Sequence, residues 1–173
     1  MNRDKIKNAI RNIPDFPKPG IQFKDITTLL LDHDAFSESI EIFCDEFETS
    51  EIDLIVGIES RGFIFGAPLA LRLGRPFAIA RKPGKLPAET VSAEYELEYG
   101  TDSVEMHKDA IKRGDRVLII DDLIATGGTA QAVGELVTKC QGDITGFAFL
   151  INLAELKGSD KLKPHPVFAI IDC

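Results

Sequence analysis

Four apolar residues, Val117-Leu118-Ile119-Ile120, run straight into two acids, Asp121 and Asp122, and then into the small, glycine-rich stretch Ala125-Thr126-Gly127-Gly128-Thr129. A helical stripe follows, with Ala130, Val133, Leu136, Val137 and Cys140 at helical spacing. An unbroken apolar run bounded by turn signals predicts a strand buried on both faces, as inside a parallel sheet. Residues 125–129 are then the turn from strand to helix. There, backbone N–H groups and the hydroxyls of Thr126 and Thr129 can surround a phosphate at a helix N-terminus. The acids stand at the carboxyl end of the strand, where open α/β sheets put their ligands. Carboxylates beside a phosphate would repel it, so they need neighbouring sugar hydroxyls, or a magnesium ion with its waters. No Gly-Lys-Ser/Thr follows the glycines and GxGxxG is absent, which removes the Walker loop and the dinucleotide fingerprint. Taken alone, the same residues also describe an ordinary strand–turn–helix junction with a solvated acid pair.

Other segments fit the same architecture. Leu54–Ile58, Phe77–Ala80, 146–151 and 167–171 are strand candidates. Helical patterns cover 3–11, 34–48 with Asp34 as N-cap, and 63–73 up to Gly74, where Pro68 predicts a kink or a later start. Pro14, Pro17, Pro19 and Gly20 impose an extended or turning stretch between the first two helices. Strands alternating with helices predict an α/β fold, a mainly parallel twisted sheet flanked by helices. Residues 81–103 break this rhythm: a basic segment carrying Arg81, Lys82 and Lys85 leads into alternating Tyr95, Leu97 and Tyr99, a β-ribbon pattern. An excursion of that length in a small domain is a functional flap or a disordered loop.

Composition narrows the partners. A chain of 173 residues is one domain by default. Its net charge of −8 argues against a general nucleic-acid binder and against an anionic membrane surface. An anionic substrate must therefore be held by local clusters of Lys and Arg. No apolar run approaches the roughly 20 residues needed to cross a bilayer, and the start Met1-Asn2-Arg3-Asp4-Lys5 lacks the apolar centre of a signal peptide. Cys44, Cys140 and Cys173 have no ligand-like spacing and read as free thiols in a reducing cytoplasm. His33, His107 and His165 are scattered and read as structural.

Glu59-Ser60-Arg61-Gly62 ends a strand candidate as Asp121-Asp122 does, and its serine, arginine and glycine can donate to a diphosphate. The tetrapeptide alone is only a turn, and the cluster Arg81, Lys82 and Lys85 alone is a solvated face. Two strand ends with complementary anion chemistry, plus a cationic segment, make a stronger case.

The stretch from Asp121 to Thr129 resembles the phosphoribosyl diphosphate (PRPP) signature of the type I phosphoribosyltransferases. Further segments narrow the resemblance to the adenine phosphoribosyltransferases: residues 14–26 (Pro14 to Ile26), Glu59 to Phe63, Arg81 to Pro87, Leu97 to Gly100, and Leu153-Ala154-Glu155-Leu156-Lys157-Gly158. The match runs in family order from about residue 14 to the end. It implies a single domain over 1–173, with a small base-binding hood over about 1–33 and a flexible catalytic loop over about 82–103. The implied reaction is adenine plus PRPP giving AMP and diphosphate, in purine salvage, with Mg²⁺ bound mainly through PRPP and water rather than directly by protein. By resemblance, Ala125, Thr126, Gly127, Gly128 and Thr129 bind the 5′-phosphate, and Asp121 and Asp122 the ribose hydroxyls. Glu59, Ser60, Arg61, Arg81, Lys82 and Lys85 belong to the diphosphate side. Main-chain groups of Gln22 and Lys24 read the adenine edge while Phe23 stacks on the ring. Glu98 manages the proton at N7, Tyr99 packs over the site, and Arg61 assists catalysis. The resemblance also implies a homodimer. Rival expectations are a 6-oxopurine as the base, or a non-catalytic PRPP sensor on the same fold. Position 22 often holds another residue in the family, which leaves the pocket wall open.

Overall fold

Runs rich in Val, Ile and Phe need cover on two faces, and the chain supplies it by laying helices on one side of a sheet and a helix plus a ribbon on the other. The structure, a computed structural model, describes residues 2–97 and 100–173. It opens with α1 (Arg3–Ala9), β1 (Arg11–Pro14), β2 (Gln22–Asp25), α2 (Thr27–Leu31) and α3 (His33–Phe47). Next come β3 (Leu54–Ile58), α4 (Gly62–Leu73), β4 (Phe77–Ala80), β5 (Thr90–Leu97) and β6 (Gly100–His107). The chain ends with β7 (Arg116–Ile124), α5 (Gly128–Lys139), β8 (Asp143–Asn152), 3-10 turns over Ala154–Leu156 and Gly158–Leu162, and β9 (Val167–Asp172).

The main sheet has five strands in the order β4-β3-β7-β8-β9, and every neighbouring pair is parallel. β7 is central, which is why its run is apolar without alternation. Leu118 and Ile120 pack into the cluster shared with α1 to α4, whereas Val117 and Ile119 pack into the cluster built with α5 and the β5–β6 ribbon. Ile6, Ile26 and Leu29 join the first cluster, so the amino-terminal segment shares the core of the sheet. β1 and β2 form their own antiparallel ribbon.

Several local expectations are corrected. The first helix stops at Ala9, and Arg11–Pro14 turns extended because it pairs with β2, where Arg11 also meets Asp25 at 2.6 Å. Asp32, not Asp34, caps α3: its carboxylate accepts from the N–H groups of Asp34 and Ala35. α4 begins at Gly62 and runs through Pro68, with the fully buried Phe65 and Leu69 anchoring it on both sides of the missing N–H. It stops at Gly74, whose φ of 63° suits a glycine C-cap. β7 does not end at the acids. Its ladder with β8 continues through Asp121↔Phe149 to Ile124↔Asn152, so Asp121 and Asp122 lie inside the last part of the strand.

Candidate active site

The carboxyl end of β3 lies beside the point where β7 reaches its acids, since Gly57 is in register with Ile120. After β3 the chain turns through Glu59-Ser60-Arg61 into α4, and Gly62 sits so close to β7 that a Cβ there would lie 2.7 Å from the Ile120 carbonyl oxygen. That approach brings the two predicted strand ends together. Arg61 reaches across the junction, its Nε 2.9 Å from Asp122 Oδ2. Oδ2 is buried, and its contact with Arg61 is an ion pair rather than a well-aligned hydrogen bond. On its other side the Arg61 guanidinium lies 5.6 Å from the centre of the Phe23 ring.

After Ile124 the chain folds through Ala125-Thr126 to Gly127, which caps α5 with a φ of 79° that favours glycine. The opening N–H groups of α5 have no partner inside the helix. They border a cavity of about 110 Å³ lined by Ala125, Thr126, Gly127, Gly128, Thr129 and Asp121. Its size and its ring of donors suit a phosphate. A larger cavity of about 360 Å³ lies along α5 between Gln131 and Lys139, away from both acids, with Lys139, Lys161, Lys163 and His165 in its lining. The two acids thus divide the junction: Asp121 borders the cradle, and Asp122 faces Arg61.

Comparison with known proteins gives the family. A family model described as "Phosphoribosyl transferase domain" matches residues 27–171. An adenine phosphoribosyltransferase of Halothermothrix orenii is 56% identical over 167 residues, 96% of this chain and 98% of that protein. The crystal structure of adenine phosphoribosyltransferase from Thermoanaerobacter pseudethanolicus superposes with a TM-score of 0.97 at 53% identity, covering 99% of this chain and 100% of the other. The chain belongs to the adenine phosphoribosyltransferase family. A further relative, the Saccharomyces cerevisiae adenine phosphoribosyltransferase complexed with an imino-altritol bisphosphate and adenine, has a TM-score of 0.93 at 43% identity, covering 98% of each chain.

In this phosphoribosyltransferase the acid pair is electrostatically costly. Burial pushes the Asp121 carboxyl well above the usual range, and the neighbouring Asp122 raises it further, with Arg61 pulling back only in part. Burial also raises Asp122, against the attraction of Arg61.

The basic segment is not free. Lys85 Nζ and Arg81 Nη2 both reach Glu59 Oε1, at 2.5 and 3.2 Å, and the Lys82 N–H donates to Glu59 Oε2 at 2.7 Å. Burial pushes Glu59 up, but Lys85, the Lys82 amide and Arg81 more than reverse it and hold Glu59 at about 2. Lys82 Nζ turns instead to the Asp102 carboxylate and donates to Tyr95 Oη at 3.0 Å. Glu59 therefore faces the cations of the segment, and Ser60 is the exposed residue of its turn. Sequence reasoning missed Asp102 as the partner of Lys82. The ribbon register was the available signal, because β5–β6 pairing sets Tyr95 opposite Asp102.

On β2, Phe23 is half-buried and meets Phe16 edge-on at 5.2 Å. Gln22 and Lys24, two residues apart on β2, aim their main-chain groups at one edge of the ribbon, and Phe23 aims its own at the other. The Gln22 side chain accepts from Asn12. Glu98 and Tyr99 lie outside the described residues. Cys44, Cys140 and Cys173 are free thiols, and burial raises the first two above the ordinary thiol value. Among the described residues, no helix is long and apolar enough to cross a membrane.

Proposed function

We propose that this chain transfers the phosphoribosyl group of PRPP to N9 of adenine, giving AMP and diphosphate. The observation that carries the reading is the reach of Arg61. One guanidinium pairs with Asp122 and lies over the Phe23 ring, which brings the ribose acids and the base-stacking ring to the same side chain. The yeast relative bound to adenine and a sugar-like bisphosphate supports the same pair of subsites.

Each residue then has a task. Residues 125–129 hold the 5′-phosphate through α5 amides and hydroxyls. Asp121 and Asp122 accept from the ribose hydroxyls; Oδ2 of Asp122, ion-paired with Arg61 but without an aligned hydrogen bond, can accept one. Phe23 stacks on the base, while Gln22 and Lys24 offer main-chain groups to its edge. Ser60 and Arg61 take the diphosphate. As the segment over about 82–103 closes, Arg81, Lys82 and Lys85 exchange Glu59 and Asp102 for the departing anion, so Glu59 serves as their resting counter-charge. Cleavage of the C1′–O bond leaves positive charge on the sugar and negative charge on the diphosphate, and these cations stabilise the latter. Attack through N9 obliges a proton to leave the ring, and Glu98 is assigned that proton at N7. Tyr99 and the closed segment exclude water from the reactive sugar centre.

The acid pair also fits Mg²⁺. Two carboxylates suit an ion held mostly by substrate oxygens and water, with Asp121 and Asp122 beside it. Bound there, Mg²⁺ would neutralise charge on the diphosphate. The same reading includes a homodimer, a hood over about 1–33, and a cytoplasmic setting that suits three free thiols.

The test is diphosphate release from PRPP and Mg²⁺ with adenine, hypoxanthine, guanine and xanthine supplied in turn. Release with adenine alone, with AMP as co-product, is expected. Release with a 6-oxopurine would overturn the base assignment, and binding of PRPP without turnover of any base would point to a sensor.

A further inference from the structure

The segment Leu153 to Gly158 has no role in the chemistry described above, yet it lies directly under the anion cradle. It is fixed at its start: the Leu153 N–H donates to the carbonyl of Ile124, the last residue of β7, at 3.0 Å, and the Ala154 N–H to the Cys173 carbonyl at 3.0 Å. At its far end Leu162 is 2% exposed in the core formed with α5. Between these anchors Lys157 takes a left-handed conformation with φ 51° and delivers Gly158 against the cradle. A Cβ on Gly158 would run into the Ala125 carbonyl oxygen and lie 2.9 Å from the Gly127 nitrogen. Reciprocally, a Cβ on Gly127 would run into the Gly158 carbonyl oxygen. These obstacles are backbone atoms, so neither rotamer changes nor a flexible tip can relieve them.

We propose that Gly158 is a positioning residue for the 5′-phosphate. Its bare backbone is the mould on which Ala125–Gly127 take the curve that aims the α5 amides into the cradle. Adding a methyl group there displaces the turn by the depth of the clash. Hydrogen bonds to a charged group weaken steeply with such displacement. The proposal rests on the assignment of residues 125–129 to the 5′-phosphate.

Binding of AMP and of adenosine, measured by calorimetry on the wild-type chain and on Gly158→Ala, isolates the phosphate contribution as the adenosine dissociation constant divided by that of AMP. The expected result is a ratio lowered at least tenfold by the variant, with adenosine affinity within about twofold of wild type. A merely structural role would weaken both ligands together and would overturn the proposal. An unchanged ratio in a folded variant would overturn it too, while leaving the cradle in place. Equal binding of AMP and adenosine by the wild type would remove the cradle assignment itself. Should Gly158→Ala fail to fold, hydrogen exchange on the wild type decides. AMP, but not adenosine, should slow exchange in peptides covering both 125–131 and 153–158. Protection of the first alone sinks the mould.

Discussion

The acid pair at the end of β7 is where function and stability pull apart. An acid whose folded pKa lies above its unfolded value binds more protons folded than unfolded. Stability therefore falls as pH rises through that window, and the ionised pair at neutral pH is a net cost. Both Asp121 and Asp122 are shifted in this direction, burial being the larger cause. Asp121→Asn should therefore leave the melting temperature at pH 7 unchanged or higher; a clear drop would mean that its charge supports the fold. Asp122→Asn is a functional probe. Losing an ionised acceptor for ribose hydroxyls costs about 1.5–3 kcal/mol, so PRPP should bind roughly 10- to 100-fold more weakly while adenine changes little. Equal losses for the two ligands would contradict the ribose role. The acids and the glycine turn were legible in sequence, because an apolar run that meets two carboxylates has few structural uses. Arg61 between Asp122 and Phe23 was not, since residues 23, 61 and 122 are joined only by the fold.

At the scale of elements, the ribbon holds two different kinds of residue. Ala93, Val104 and Met106 are 3% exposed or less and pack with α5, so the base of the ribbon belongs to the core. Lys139 of α5 donates to the Ser92 carbonyl at 2.8 Å, and Arg81 bridges to Glu105 in an antiparallel pair. The cationic stretch, in contrast, is held through charges that an incoming anion can replace. Addition of PRPP with Mg²⁺ should therefore change hydrogen exchange in peptides covering 82–88 and leave 104–107 unchanged. Equal protection of 82–88 with and without ligand would end the gating idea. Sequence periodicity placed the five sheet strands because each is an apolar run of strand length. It failed where a neighbour decided the outcome: Arg11–Pro14 became a strand only because β2 offered a ladder, and β7 outlasted its apolar run only because β8 continued beside it.

Across the whole molecule, the amino end of the sheet holds a strongly depressed acid, whereas the carboxyl end holds both a depressed acid and a raised pair. At the amino ends of β3 and β7, Arg116 donates to Asp53 through its backbone N–H, Nε and Nη2 at 2.8 to 2.9 Å, holding Asp53 far below the usual carboxylate range. At the carboxyl ends, Asp121 and Asp122 are pushed the other way, while Glu59 is held at about 2 by its ring of cations. A depressed acid stabilises the fold above its unfolded pKa of about 4, and that contribution is lost as pH falls through the folded value. The raised pair does the reverse, relieving strain as it protonates on the way down to about 4. Acidification from pH 7 should therefore hold or slightly raise the melting temperature until about pH 4, after which the loss of the Asp53 and Glu59 contributions lowers it steeply. Asp53→Asn, followed by circular dichroism from pH 8 to 2, separates the ends. Its deficit against wild type should be full at pH 7 and should shrink as pH falls below 4. A deficit independent of pH would show that packing, not charge, joins β3 to β7 there. The cations around Glu59 and the guanidinium of Arg61 stand at the same end as the buried carboxylates, so charge pairing there offsets part of what burial costs.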